Sequence, residues 1–166
     1  MLDISKLEAG KIEIETTRVH IPALITELFS TLRAAAESRG SELMLDCHIA
    51  EPIPTDPRRL RQILLNLLSN ATKFGAGKPV RVRCADDADV AWIDVQDQGP
   101  GIAPNDIHRI FEEFVQLPQV AAGGTGLGLP ISRRLAELLG GRLEVESTLG
   151  SGSTFRIVLP KRPPRP

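Results

Sequence analysis

The patterning of this chain points to an α+β architecture, a two-layer sandwich of helices against a sheet. Three stretches carry apolar residues at helical spacing, and five or six short ones alternate apolar with polar residues. The last two alternating stretches follow one another directly through a glycine-bearing turn, as expected of an α+β sandwich.

Taken in order, Met1 to Gly10 reads as the end of a helix stopped by its glycine. Ile12-Glu13-Ile14-Glu15 alternates and predicts an edge strand. From Ile21 to Ser38, Ile21, Leu24, Ile25, Leu28, Leu32 and Ala35 fall on one helical face, and Gly40 closes the segment. Leu43, Leu45, Cys47 and Ile49 predict a strand with one buried face. A second helix is predicted from about Asp56 to Phe74, then strands around Val80, Val82 and Cys84 and around Ala91, Ile93 and Val95. After a glycine-rich loop comes a helix over about Pro130 to Leu139, closed by Gly140-Gly141. Two final strands carry Leu143 and Val145, then Phe155, Ile157 and Leu159, joined at Leu149-Gly150-Ser151-Gly152. The tail, 161–166, is Lys-Arg-Pro-Pro-Arg-Pro and reads as a linker.

Composition narrows the function classes. A chain of 166 residues, 42% hydrophobic and 25% charged, suits one globular domain with a real core. No apolar run approaches the ~20 residues of a membrane helix, and the start of the chain does not resemble a signal peptide. A formal net charge of -1 gives no electrostatic reason to expect nucleic-acid or membrane contact. Cys47 and Cys84 lack a second cysteine at metal-ligand spacing and read as reduced, buried thiols, which points to a cytoplasmic setting.

Three segments carry candidate chemistry. On the helix to Phe74, Leu60, Ile63, Leu64, Leu67, Leu68 and Ala71 form the apolar stripe. Asn66, Asn70 and Lys73 flank it together, at the rim where a cleft would open. Amide oxygens suit Mg²⁺ and a lysine suits phosphate; the alternative is an ordinary polar flank. Asp97 keeps the buried phase of Ala91, Ile93 and Val95, so its carboxylate needs a donor partner, which an exocyclic amine of adenine would supply. Gly99 and Gly101 then allow a sharp turn and close approach to a ligand. The alternative is an aspartate accepting backbone amides in a strand-ending turn. Gly123-Gly124-Thr125-Gly126-Leu127-Gly128-Leu129 precedes a helix, where unpaired amides favour phosphate. Its spacing fits neither the P-loop nor the dinucleotide fingerprint.

In this order the segments resemble the conserved boxes of sensor histidine kinases. Asp56 to Phe74 is similar to their N box and Asp97-x-Gly99-x-Gly101-Ile102 to their G1 box. Arg109-Ile-Phe111-Glu-Glu-Phe114 resembles the F box and Gly124 to Leu129 the G2 box. Leu139 to Ser147 and Gly152 to Pro160 resemble the family's last strands, and Leu2 to Lys11 its exit from the dimerisation helices. The resemblance covers residues 1 to 160. It implies a Bergerat fold, a mixed five-stranded sheet packed against three helices. It divides the chain into the end of a dimerisation and histidine-phosphotransfer helix (1–10), a catalytic ATP-binding domain (11–160) and a linker tail (161–166). It further implies ATP and Mg²⁺ as cofactors. Asn70 would hold the metal with Asn66 beside it, Lys73 would meet phosphate and Phe74 would pack on adenine. Asp97 would accept from the adenine amine, with Gly99, Gly101 and Ile102 lining the base pocket. Thr125, Gly126, Leu127, Gly128 and Leu129 would form the phosphate loop, and Thr154 would reach the adenine side. The implied partners are the dimerisation domain of the same kinase and a response-regulator receiver domain, and a full-length kinase of this kind can be anchored in the inner membrane.

Two departures stand out. The lid segment Val115 to Ala122 contains no arginine or lysine, where many relatives place a basic residue against the γ-phosphate. His20, His48 and His108 lack the flanking pattern of a phosphoacceptor and are expected to be structural or superficial. The chain is therefore expected to be a piece of a longer kinase that phosphorylates a histidine elsewhere. The competing expectations are a degenerate nucleotide-binding or interaction module and an anti-sigma-type serine kinase on the same fold.

Overall fold

The computed structural model describes residues 4–75, 77–112 and 128–162. Helix α1 (Ile4–Glu8) ends at Gly10, whose positive φ of 66° no branched residue would tolerate cheaply. Strand β1 (Thr17–Val19) leads into α2 (Ile21–Ser38), whose bounds follow its apolar period; His20 caps it, its Nδ1 accepting from the Ala23 amide at 3.3 Å. Phe29 and Ala36 complete the buried face of α2, while Ala35, expected to be inward, faces solvent.

Strand β2 (Leu43–Cys47) follows, then a short β3 (Ile53–Thr55) that pairs antiparallel with β1. The patterning missed this pair because prolines 52 and 54 mask it, although proline is tolerated on such edges. The edge strand expected at Ile12–Glu15 is not formed. The Glu15 amide donates instead to Asp56 Oδ2 at 2.9 Å, so it is unavailable to a ladder. Asp56 Oδ1 meanwhile accepts from the amides of Arg58 and Arg59, which caps helix α3 (Pro57–Phe74).

Strands β4 (Val80–Asp86) and β5 (Val90–Asp97), helix α4 (Gly128–Leu138), and strands β6 (Arg142–Thr148) and β7 (Gly152–Pro160) complete the domain. The sheet order is β2-β4-β5-β7-β6, with β2 and β4 parallel and every other neighbour antiparallel. The sheet is therefore mixed and five-stranded, as expected, and α2, α3 and α4 cover one face. The α3 stripe from Leu60 to Ala71 packs with Val82, Ile93, Leu135 and Ile157 in one core. The other face is polar: Arg156 forms a two-pronged ion pair with Asp94 at 2.7 and 2.8 Å across β7 and β5. No helix among the described residues is long and apolar enough to cross a membrane.

Candidate nucleotide site

The C-terminal half of α3, the end of β5, the start of β7 and the first turn of α4 converge on one region. The convergence follows from the sheet order. Because β5 and β7 are antiparallel, the last residue of β5, Asp97, lies opposite Ser153 near the start of β7. Gly152 packs so closely on the Asp97 carbonyl that a Cβ would have no room, and its φ of 103° is itself a glycine conformation.

Asp97 is 9% exposed and continues the core-facing phase of its strand. Oδ1 accepts the Gly99 amide at 2.9 Å. Burial pushes its carboxyl above the ordinary aspartate range, opposed by the Gly99 and Ser153 amides. Among the described residues no cation pairs with it. A buried carboxylate so arranged retains unused acceptor capacity toward a bound donor.

The glycines after Asp97 have steric causes in this fold. A side chain at Gly99 would collide with the Phe74 carbonyl at the end of α3. Gly101, at φ 73°, abuts the Thr148 carbonyl at the end of β6. The loop is then fastened to the β6–β7 hairpin: Gly150 donates to the Pro100 carbonyl at 2.7 Å and Ile102 donates to Ser147 Oγ at 2.7 Å. Ser147 donates onward to the Gly152 carbonyl at 3.0 Å, and its oxygen lies 2.8 Å from Ser153 Oγ. Ile102 is buried at the base of this loop.

On α3 the two asparagines divide. Asn66 Nδ2 donates to the buried Ser132 Oγ of α4 at 2.9 Å, and Gly128 packs so closely on the Asn66 amide that a side chain there would displace it. The Asn70 side chain, half-buried one turn on, has no hydrogen-bond partner among the described residues. Lys73 and Phe74 are half-buried at the helix end, with Lys73 Nζ 5.4 Å from the centre of the Phe74 ring. Leu129 lies in the first turn of α4, half-buried. Thr125, Gly126 and Leu127 fall outside the described residues, as do Phe114, the 115–122 lid and the tail from 163.

Thr154 is not brought to this cluster. The register pairs it with Gln96 and Glu146, on the polar face of the sheet, because neighbouring strand residues point to opposite sides. Ser153 is the residue that stands beside Asp97, in phase with Phe155, Ile157 and Leu159. A small hydroxyl at a core-facing strand position was the available signal. The histidines lie apart: His20 caps α2, exposed His48 lies 2.8 Å from Asp46, and His108 is exposed ahead of a 3-10 turn at Arg109–Phe111. Phe111 there receives the Arg133 guanidinium of α4 over its ring at 5.0 Å.

A family model described as "Histidine kinase-, DNA gyrase B-, and HSP90-like ATPase" matches residues 55–163. The chain belongs to this family. Within it, the chain is a catalytic ATP-binding domain of the sensor histidine kinase type. The circadian input-output histidine kinase CikA of Synechococcus elongatus is 39% identical over 98% of this chain, which spans 22% of that protein. Full-length ShkA, solved in complex with AMPPNP, superimposes with a TM-score of 0.87 at 34% identity, over 98% of this chain and 34% of ShkA. The mycobacterial sensor histidine kinase MprB is 30% identical, with a TM-score of 0.75, over 91% of this chain and 99% of that structure. The chain thus spans about a fifth of the curated relative's length.

Proposed function

We propose that this domain binds ATP with Mg²⁺ and presents the γ-phosphate to a histidine on a separate dimerisation and phosphotransfer domain, from which a response-regulator receiver domain takes it. The observation that carries the nucleotide half is Asp97, a buried carboxylate held by backbone amides, with no cationic partner among the described residues, two residues before Gly99, which packs on the Phe74 carbonyl at the end of α3. The adenine amine is the donor that fits it. Guanine presents a carbonyl oxygen at the same ring position and would be repelled. Ile102 and Phe74 supply apolar contact for the base, and Gly99 and Gly101 let the loop backbone come close.

The donor set fits the metal as well. Among the described residues no cluster of histidine, cysteine or carboxylate groups could hold an ion. A single hard amide oxygen, from Asn70, suits Mg²⁺ that takes its remaining ligands from phosphates and water. When bound, that ion offsets phosphate charge. Lys73, now over the Phe74 ring, would meet phosphate, and the first turn of α4, with Gly128 and Leu129, would offer its amides and a favourable dipole to an anion. Thr125, Gly126 and Leu127, which precede it directly in sequence, would add further phosphate contacts. Asn66 acts differently, joining α3 to α4 so that the metal side and the phosphate side stay in register. Phosphoryl transfer rests largely on such positioning.

Residues 1–10 are read as the exit from the dimerisation helix and 161–166 as a linker. The neutral 115–122 segment favours a second reading, a module that holds nucleotide without transfer. Incubation with γ-labelled ATP separates these. Alone, the chain forms no acid-labile phosphohistidine; adding the kinase's dimerisation domain as a separate polypeptide restores labelling that rises with concentration. Tight ATP binding without labelling of the supplied domain would establish the second reading, and labelling on serine would establish a serine kinase.

A further inference from the structure

We propose that Cys47 and Cys84 form a thiol-modification site in which Cys47 takes electrophilic sulfur from low-molecular-weight disulfides and Cys84 resolves the adduct into an internal disulfide joining β2 to β4. They are the chain's two cysteines, and both are free. They stand directly opposite each other, Cys47 against Cys84, in the parallel β2–β4 pair. Strand alternation puts both on the helix-covered face: Cys84 shares the phase of Val80 and Val82, Cys47 that of Leu43 and Leu45. The two thiols differ in access. Cys84 is 2% exposed, whereas Cys47 is half-buried at the end of its strand.

Neighbouring strands lie ~4.8 Å apart, within the ~4.4–6.8 Å that disulfides span between Cα atoms. Parallel neighbours hold their Cβ atoms wider than a relaxed disulfide prefers, so closure draws the strands together. Strand β2 can follow, since it is the sheet's edge and among the described residues pairs with β4 alone. A bond made under that strain is readily reduced, which makes the modification reversible.

The chemistry is divided between the pair. A hydrogen bond from the Cys84 thiol holds the Cys47 thiol down to about 7, so much of it is thiolate at neutral pH. The same bond and burial push Cys84 up, which keeps it protonated. The Cys47 thiolate attacks one sulfur of the small disulfide RSSR; that S–S bond breaks and RS⁻ leaves. With the Cys47 charge gone, the main cause that raised Cys84 is gone too. Cys84 then gives up its proton and attacks the Cys47 sulfur of the mixed disulfide, expelling the second RS⁻. Both cysteines are oxidised, RSSR is reduced to two RSH, and the two cysteine protons end on the leaving thiolates.

The test treats the folded chain with oxidised glutathione, quenches with an alkylating agent, and maps peptides without reduction. The expected product is a crosslinked pair of peptides carrying Cys47 and Cys84, reversed by dithiothreitol. Cys84→Ser should instead trap a stable glutathione adduct on Cys47, and should Cys84→Ser fail to fold, Cys84→Val, which fills the same core position, should trap it too. Cys47→Ser should leave Cys84 unmodified, and in the parent Cys47 should alkylate at least ~10-fold faster than Cys84. A persistent adduct in the parent, first reaction at Cys84, crosslinking between chains, or reaction only after unfolding in urea would each overturn the proposal. Neither cysteine lies in the nucleotide cluster, so these outcomes are independent of ATP binding.

Discussion

Asp97→Asn separates the two demands placed on that residue. In the structure Oδ1 is committed to the Gly99 amide, and an asparagine oxygen can keep that bond. The other position becomes an NH₂ group, a donor facing the adenine amine. A hydrogen bond to a charged group is worth ~1.5–3 kcal/mol, so ATP affinity should fall roughly ten- to a hundredfold. Stability should move the other way. Desolvation raises the Asp97 carboxyl, so folding carries a cost for its charge that a neutral isostere avoids. Titration calorimetry with ATP and with GTP, alongside thermal unfolding of the nucleotide-free protein, reads both effects. The parent should prefer ATP, and the variant should bind weakly while melting no lower than the parent. Equal affinity of the parent for both nucleotides, or undiminished ATP binding by the variant, would refute the assignment of Asp97 to the base. A large drop in melting temperature would instead show that Asp97 serves the loop more than the ligand.

Asn70→Ala should abolish the Mg²⁺-dependent part of nucleotide affinity with circular dichroism unchanged, because no core residue is removed; equal binding with and without Mg²⁺ in the parent would contradict it. Gly101→Ala should cost roughly 2–3 kcal/mol, combining left-handed backbone strain with collision against the Thr148 carbonyl, read as a lower urea midpoint. The pH dependence has a definite sign. Since the folded pKa of Asp97 exceeds the unfolded one, its favourable contribution is full below the unfolded value and is lost as pH rises through the folded value. Urea unfolding across mildly acidic pH should show this component in the parent and its absence in Asp97→Asn.

Long periodic segments were readable from the sequence because burial alone fixes them. Helix α2 runs over the residues its apolar spacing marks, and α3 differs only in giving Asp56 to the cap. The buried phase of Asp97 followed from strand alternation. The β1–β3 pair was not readable, since two three-residue strands carry too little pattern and their stability comes from partners far apart in sequence. Thr154 shows a sharper limit. A shift of one residue along a strand reverses the face, so Thr154 lies on the opposite side of the sheet from Asp97 while Ser153 stands beside it. The Asn66–Ser132 bond joins residues 66 apart in sequence, and no local rule reports it.

That bond also distinguishes the two asparagines that share one helical flank. The Asn66 NH₂ group is held by a buried serine on α4, and its Oδ1 lies close against Gly128. Rotating the Asn66 amide away from this pose would leave the 2%-exposed Ser132 hydroxyl without this partner, a loss comparable to ~1–3 kcal/mol. Asn70 bears no such cost among the described residues, and it lies one turn nearer Phe74 and the Gly99 loop. We therefore propose Asn70, not Asn66, as the metal ligand. Asn66 serves the seam between α3 and α4, the two helices whose ends must stay in register if base, metal and phosphates are to be held together.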